Sequence, residues 1–125
     1  MATRRKQRRS SGLIRVPFVQ RCQLELDEHD GREAFLVNVN ILGAYVAEDD
    51  PPPVGTQIRC RFHIPGNEIE LALDAVVVWL NGRQHHPVHS LPRGFGMEFK
   101  DTPPEAVERL RDVVREYVTR LPPAR

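Results

Sequence analysis

The stretch from residue 57 to residue 81, QIRCRFHIPGNEIELALDAVVVWLN, constrains the fold most, because apolar and polar side chains alternate on both sides of a Pro-Gly-Asn turn. In its first half the apolar positions are Ile58, Cys60, Phe62 and Ile64. A period of two residues is typical of a β-strand that buries one face, and a proline-glycine turn between two such strands predicts an antiparallel hairpin. We therefore expect a chain built from antiparallel strands.

Other parts of the chain have the same strand character. They are residues 21–28, 34–40, 43–48 and 95–100. Asp30-Gly31 predicts the turn between the first two strands, and Asn40 to Gly43 predicts a tight turn before the third. Turn signals every eight to twelve residues favour a small barrel or sandwich of about six antiparallel strands.

The last segment, residues 101–121, changes to a helical period. Its apolar positions are Val107, Leu110, Val114, Tyr117 and Leu121. Steps of three and four residues place them on one stripe of a helix, which is predicted at about residues 103–121. We expect this amphipathic helix to cover an open side or end of the sheet.

Charge is divided unevenly along the chain. Five of the first nine residues are basic, namely Arg4, Arg5, Lys6, Arg8 and Arg9. Residues 1–14 are predicted to form a flexible basic arm, and residues 15–121 a single domain. Seven of the 18 basic residues precede the first acidic one, Glu25, so eleven remain against all 17 acidic residues. The local positive charge favours a compact anionic ligand, or docking of the arm near the domain's own acidic surface, and the acidic remainder disfavours a broad nucleic-acid-binding face.

Several other functions are not predicted. No run of about eighteen apolar residues could span a membrane. Cys22 and Cys60 lie in alternating patterns, so we expect buried, reduced thiols in a cytoplasmic protein. No serine or cysteine lies in a nucleophile motif, and no enzyme is expected. His85, His86 and His89 lie in a proline-containing segment without a nearby Cys, Asp or Glu, so we expect a polar loop there and no metal or cofactor.

Asn38 and Asn40 are two residues apart on one strand, so both amides are predicted to face the same side. The residues predicted on the core side are Val37, Val39 and Ile41. Amides can read purine edges, arginines match phosphate oxygens and guanine, and Gly43 permits a tight turn or a close approach. This combination favours a guanine-nucleotide site; alternatively, the asparagines only satisfy turn backbone and the arm stays solvated. Trp79 is predicted to be core or a packing lid, with stacking on a base as its alternative.

The chain resembles the PilZ domain, a bacterial receptor domain for cyclic di-GMP. The family pattern is Arg-x-x-x-Arg in an N-terminal loop, followed by Asp/Asn-x-Ser-x-x-Gly at a turn between strands. NVNILG, residues 38–43, is similar to the second motif, and RRKQR and RKQRR, within residues 4–9, have the spacing of the first. Downstream, PVGTQIRCRFHIPG, LALDAVVVWL and RGFGMEFKDTPPEAVERLRDVV look like the paired strands, the glycine-phenylalanine strand and the closing helix of the family. The resemblance covers about residues 4–118.

The resemblance implies a six-stranded antiparallel β-barrel with a C-terminal helix and no catalytic activity. It implies a clamp of arm arginines on the phosphates and guanines of cyclic di-GMP, with the end of a strand contacting the nucleotide. The residues expected to bind the ligand are Arg4, Arg5, Arg8, Arg9, Arg15, Asn38, Asn40 and Gly43. Binding is expected to order the N-terminal loop and thereby change contacts with an effector protein.

Two positions depart from the family pattern. Asn40 stands where the family usually has serine. Arg15 directly precedes the first strand, in RVPF, but Ser11 stands four residues upstream where an arginine is expected. An alternative hypothesis is therefore a degenerate PilZ-like adaptor that works through protein contacts without cyclic di-GMP. A second alternative is an arm that binds nucleic-acid phosphates, which the acidic remainder and the few aromatic residues disfavour.

Overall fold

The computed structural model describes residues 13–27, 30–66, 68–82 and 91–120. The strands and the helix of this part follow one another in the order β1 (Val16–Asp27), β2 (Asp30–Val39), β3 (Gly43–Ala47), β4 (Gln57–Ile64), β5 (Ile69–Asn81), β6 (Gly94–Lys100) and α1 (Pro104–Arg120). The helix therefore begins and ends within one residue of the predicted range.

The six strands form a closed barrel in the order β1-β2-β3-β6-β5-β4, and every neighbouring pair is antiparallel. Closure comes from β1, which pairs with β2 along one side and with β4 along the other. The predicted six-stranded antiparallel barrel with a C-terminal helix is confirmed. Because the barrel is closed, these strands leave no unpaired edge for another chain to join.

The barrel interior is filled by alternate residues of the strands, as the period of two predicts. Ile58, Cys60, Phe62 and Ile64 are all buried, as are Phe95, Met97 and Phe99 of β6. The helix contributes Ala106, Leu110 and Val114 to the same core, so the predicted stripe is confirmed at its centre. At its start Ala106 is buried where Val107 was expected, and Leu121 lies outside the described residues.

Two cysteines lie inside the barrel, and both are free and buried. A hydrogen bond between their side chains lowers the pKa of Cys22, and the same bond together with burial raises the pKa of Cys60 well above its ordinary value. The prediction of two buried thiols is confirmed. No helix in the described part of the chain is long and apolar enough to cross a membrane.

A second packed layer covers the outer face of β3, β5 and β6. Tyr45 of β3 and Trp79 of β5 both pair with Gly96 of β6, and their ring centroids are 5.3 Å apart. A Cβ atom added to Gly96 would lie 2.0 Å from Nε1 of Trp79, so the indole ring occupies the space that a side chain would need. The Tyr45 hydroxyl donates to the carbonyl oxygen of Pro92 at 2.5 Å. Trp79 therefore has the packing role that the sequence favoured.

Candidate functional site

The candidate site lies where β2 ends and the chain turns into β3. The pairing of β2 with β3 shifts register between Leu36 and Asn38, so Leu36 and Val39 both enter the core although they are three residues apart. The prediction that Val37 faces the core is therefore wrong, because this bulge inserts an extra residue into the alternation. Val39 is fully buried and Ile41 packs partly against the core, as expected.

Asn40 organises the turn with its side-chain oxygen. Its Oδ1 accepts hydrogen bonds from the backbone N–H groups of Leu42 at 2.8 Å and Gly43 at 2.9 Å, and the Asn40 N–H donates to the Gly43 carbonyl at 3.0 Å. The side chain is only 5% exposed. Asparagine satisfies turn backbone in this way because its short amide reaches N–H groups two and three residues onward. Of the two interpretations, Asn40 thus has the turn-satisfying role, and its contact with a base stays a prediction.

The same amide also holds the chain segment that enters the barrel. Nδ2 of Asn40 donates to the carbonyl oxygen of Leu13 at 2.9 Å, across 27 positions of sequence. Sequence reasoning missed Leu13, whose backbone makes the contact and whose side chain carries no signal for it. The sequence feature that could have indicated such a contact is the side-chain amide of Asn40, which has a hydrogen-bond donor and an acceptor on separate atoms. The residues just before β1 are therefore fixed to the turn that follows β2.

Arg15 and Asn38 are brought together by the pairing of β1 with β2. Val16 lies opposite Val39 and Pro17 opposite Asn38, which places the residue before β1 beside the end of β2. An N–H of the Arg15 guanidinium donates to Oδ1 of Asn38 at 3.0 Å. Desolvation lowers the pKa of Arg15, but a guanidinium remains cationic in proteins.

Gly43 permits a close approach, and β6 makes use of it. A Cβ atom added to Gly43 would lie 2.2 Å from the carbonyl oxygen of Met97, so any other residue would push β6 away from β3. The predicted close approach to Gly43 is confirmed, and the group that approaches it is the backbone of β6. Contact of Gly43 with a nucleotide stays a prediction.

The remaining residues that were predicted to bind the ligand are Arg4, Arg5, Arg8 and Arg9, and they lie outside the described residues. The same holds for His85, His86 and His89. Within the ranges that the structure does describe, no group of three or more His, Cys, Asp or Glu side chains could hold a metal ion. The site that can be described is thus the end of β2 together with the segment before β1.

The arrangement combines hydrogen-bond donors with apolar surface. The guanidinium of Arg15 and the amide of Asn38 lie next to each other at the strand end. Leu13 and Ile14 directly precede Arg15, and Leu42 lies in the turn after Asn38. These three residues are 41%, 42% and 56% exposed, respectively. Exposed apolar side chains beside fixed donors suit a planar ligand with an apolar face and hydrogen-bond acceptors on its edge. Sequence reasoning did not identify these three apolar residues.

Comparison with known proteins identifies a family and similar solved structures. The family described as the PilZ domain matches residues 3–116. No curated protein matches the chain. The structure of the Bacillus subtilis inhibitor of motility, MotI/DgrA, has a TM-score of 0.68 and 17% identity, over 86% of this chain and 51% of that one. The PilZ domain of YcgR from Escherichia coli, solved with c-di-GMP, has a TM-score of 0.63 and 13% identity, over 86% and 96% respectively. The chain therefore spans about half the length of the Bacillus subtilis protein.

Proposed function

This chain belongs to the PilZ domain family, and on that premise we propose that it is a cytoplasmic receptor for cyclic di-GMP that acts through an effector protein. The observation that supports the proposal is the hydrogen bond of 3.0 Å between Arg15 and Asn38. It joins the residue directly before β1, which follows the arginine-rich segment in the sequence, to Asn38, the first residue of NVNILG. The relative with c-di-GMP in its structure, YcgR, shares the barrel fold.

The anchored Leu13 limits which arginines can serve this site. Arg9 lies four residues before Leu13 and Arg8 five residues before it. A fully extended chain spans at most about 3.6 Å per residue, which limits Arg9 to about 14 Å and Arg8 to about 18 Å from the anchor. We propose that Arg8 and Arg9 clamp the phosphates, because guanidinium groups bind phosphate oxygens bidentately. Arg4 and Arg5 would reach the outer side of the ligand.

The described residues have different roles in this proposal. Asn38 and Arg15 present hydrogen-bond donors to a guanine base. Asn40 and Gly43 shape the turn through the contacts described above, and their direct contact with the nucleotide is a further prediction. The charge distribution supports a small anionic ligand, because the excess of basic residues is confined to the start of the chain, whereas from Glu25 onward there are eleven basic and 17 acidic residues.

Isothermal titration calorimetry with cyclic di-GMP tests the proposal. We expect saturable heat with the wild-type chain, and we expect Arg8→Ala combined with Arg9→Ala to weaken binding by at least about tenfold, since two charge-assisted contacts are lost. Arg59→Ala is the matched control, because this exposed arginine of β4 pairs with Asp74 of β5, on strands that do not carry the site. An absence of binding heat at high micromolar cyclic di-GMP would contradict the proposal.

A second candidate function is an adaptor that has lost the nucleotide, and one observation favours it. The Asn40 amide, at the family's usual serine position, is engaged by the turn and by Leu13. Capture of protein partners with and without saturating cyclic di-GMP separates the two functions. A partner set that changes with the nucleotide supports the receptor, and an unchanged set together with silent calorimetry supports the adaptor.

A further inference from the structure

We infer that the outer face of β1 and β2 is a self-association surface, to which a second copy of this chain binds in a two-fold symmetric contact. The side chains of the face identify the occupant, because they are complementary to a rotated copy of themselves. The contact does not require cyclic di-GMP, since every group in it belongs to the protein.

Exposed apolar side chains lie at one end of this face. Val19 is 76% exposed, the highest value among the large apolar side chains in the described part of the chain. In the ladder between β1 and β2, Phe18 and Val19 together lie against Val37. Phe18 is buried, so Val19 and the partly exposed Val37 form the outer row, hereafter the apolar row. Exposed apolar surface of this kind is typical of an interaction site.

The next two rows of the face combine side chains of different chemistry. Arg21 of β1 pairs with Phe35 of β2, and its guanidinium lies 5.8 Å from the centroid of the ring, which is 48% exposed. Gln23 pairs with Glu33, and its Nε2 donates to Oε2 of the carboxylate at 3.3 Å. Each row thus holds a cation beside an aromatic ring or an amide beside a carboxylate.

This order of rows makes the face complementary to itself. In a two-fold contact whose axis runs along the strands, between β1 and β2, each β1 side chain meets the β2 side chain of the same row in the second copy. Arg21 then lies over the second copy's Phe35, and Gln23 donates to its Glu33. The two apolar rows cover each other. Every row therefore repeats across the interface the interaction that it makes within one copy, and like charges are not set directly opposite each other.

Other ways of joining two copies fit the barrel less well. The barrel is closed, so a second copy cannot add a strand to an edge. If the two-fold axis ran across the strands at Phe35, the apolar row would meet the row of Gln23 and Glu33. That arrangement buries polar groups against apolar ones, which costs free energy. The side chains therefore favour the contact between identical rows.

The contact is small for a permanent dimer. It uses the outer face of two strands, whereas a standard protein interface covers about 800 Å² on each partner. We therefore expect the two copies to associate weakly and to separate on dilution. Because the two-fold axis runs along the strands, the β2 ends that carry Asn38 lie at the same end of the dimer. Self-association would thus place the two candidate sites side by side.

Sedimentation velocity of the ligand-free chain between about 10 μM and about 1 mM, the range of weak affinities, tests the contact. We expect the average mass to rise from monomer toward dimer, and we expect Val19→Glu to weaken association at least about tenfold, because a charge would face the apolar row. Val54→Glu is the matched control, since Val54 is 59% exposed and the next residue, Gly55, bonds to Val77 of β5. A chain that stays monomeric at about 1 mM, or a Val19→Glu variant that associates like wild type, overturns the inference.

An exchange of two side chains in one row tests which residues meet. Gln23→Glu sets a carboxylate against the second copy's Glu33, so we expect association to weaken about tenfold in the same measurement. Adding Glu33→Gln restores one amide and one carboxylate to the row, and we expect association to return to within about twofold of wild type. Both positions are exposed, so the fold does not depend on them. If Gln23→Glu alone has no effect, or if the double variant does not recover, identical rows do not meet and the inference is overturned.

Discussion

The barrel has two walls that differ in what lies on their outer faces. On β3, β5 and β6, hereafter the covered wall, Tyr45 is 1% exposed because Trp79 and Pro92 pack over it. On β1 and β2, hereafter the open wall, Val19 is 76% and Phe35 is 48% exposed. The outer face of the covered wall is packed around Tyr45 and Trp79, whereas the outer face of the open wall leaves Val19 and Phe35 exposed. The candidate site lies where the two walls meet, so one side of it is rigidly supported and the other remains accessible.

The largest effect is expected from a small change in the covered wall. A Cβ atom added to Gly94 would lie 1.9 Å from the carbonyl oxygen of Val46, so Gly94→Ala has to push β6 away from β3. We expect a loss of about 3 kcal/mol in the free energy of unfolding, because backbone atoms cannot yield as a side chain can. Urea denaturation measures it. Gly82→Ala is the control, since the atom nearest to its added Cβ would be Nε of Arg93, at 3.6 Å. We expect this variant to lose only about 0.5 kcal/mol in the free energy of unfolding. Equal losses in the two variants would contradict the close packing of the covered wall.

The next effect is expected at the junction of the walls. Asn40→Ala removes the acceptor of the Leu42 and Gly43 N–H groups and the donor to Leu13. We expect a loss of about 2–3 kcal/mol, because buried backbone groups are left without partners. Asn38→Ala removes the more accessible amide of the same strand end and should cost less than about 1 kcal/mol. Thermal unfolding of the two variants provides the comparison, and a larger loss for Asn38→Ala would show that the junction is not held by Asn40.

A smaller effect, with a pH dependence, is expected from Tyr45→Phe. The lost hydrogen bond to Pro92 should cost about 1 kcal/mol at neutral pH. Burial raises the pKa of Tyr45 above its ordinary value of 10.0, while a hydrogen bond with Asn81 acts in the opposite direction. The fold thus favours the protonated phenol, whose contribution is complete below pH 10 and is lost as the pH rises through the raised value. Urea denaturation from pH 7 to pH 11 should show wild type approaching Tyr45→Phe, and a constant difference would contradict this account.

The smallest effect is expected on the open wall. The Arg21 guanidinium lies 5.8 Å from the centroid of the Phe35 ring, and Phe35 is about half exposed. Exposed cation–π contacts contribute about 0.5–1 kcal/mol. We expect Arg21→Ala to lower the free energy of unfolding by about 0.5 kcal/mol in a urea titration. A loss as large as that of Asn40→Ala would mean that the open wall is as tightly supported as the covered one.

The inner faces of both walls could be predicted from the sequence, because burial of one strand face imposes a period of two. That reasoning located Phe62 and Met97 in the core. It did not locate the bulge at Val37, since one extra residue in a ladder depends on the partner strand. Packing on the outer faces could not be predicted in this way. Trp79 covers Tyr45 because β3 and β5 both pair with Gly96 of β6, and a local pattern does not predict that pairing.

The polar residues of the candidate site could be predicted from the sequence, whereas its exposed apolar residues and its internal contacts could not. The spacing of Asn38, Asn40 and Gly43 marked a special strand end, and the turn that they form is confirmed. The bond from Asn40 to Leu13 joins residues 27 positions apart, and no local pattern predicts such a contact. The division into an arm and a domain that meet near residue 15 stays a prediction, as do the roles of the arm arginines.

The pairing of β3 with β6 has a consequence for the order in which this molecule can assemble. Gly43 pairs with Glu98, so the turn that carries the candidate site is supported by a strand that is synthesised more than fifty residues later. Closing such a long loop before its contacts form is slow, and barrels dominated by distant pairings fold in milliseconds to seconds. The emerging chain therefore carries Asn38, Asn40 and Gly43 well before it carries their support. The candidate site is complete only when β6 is added.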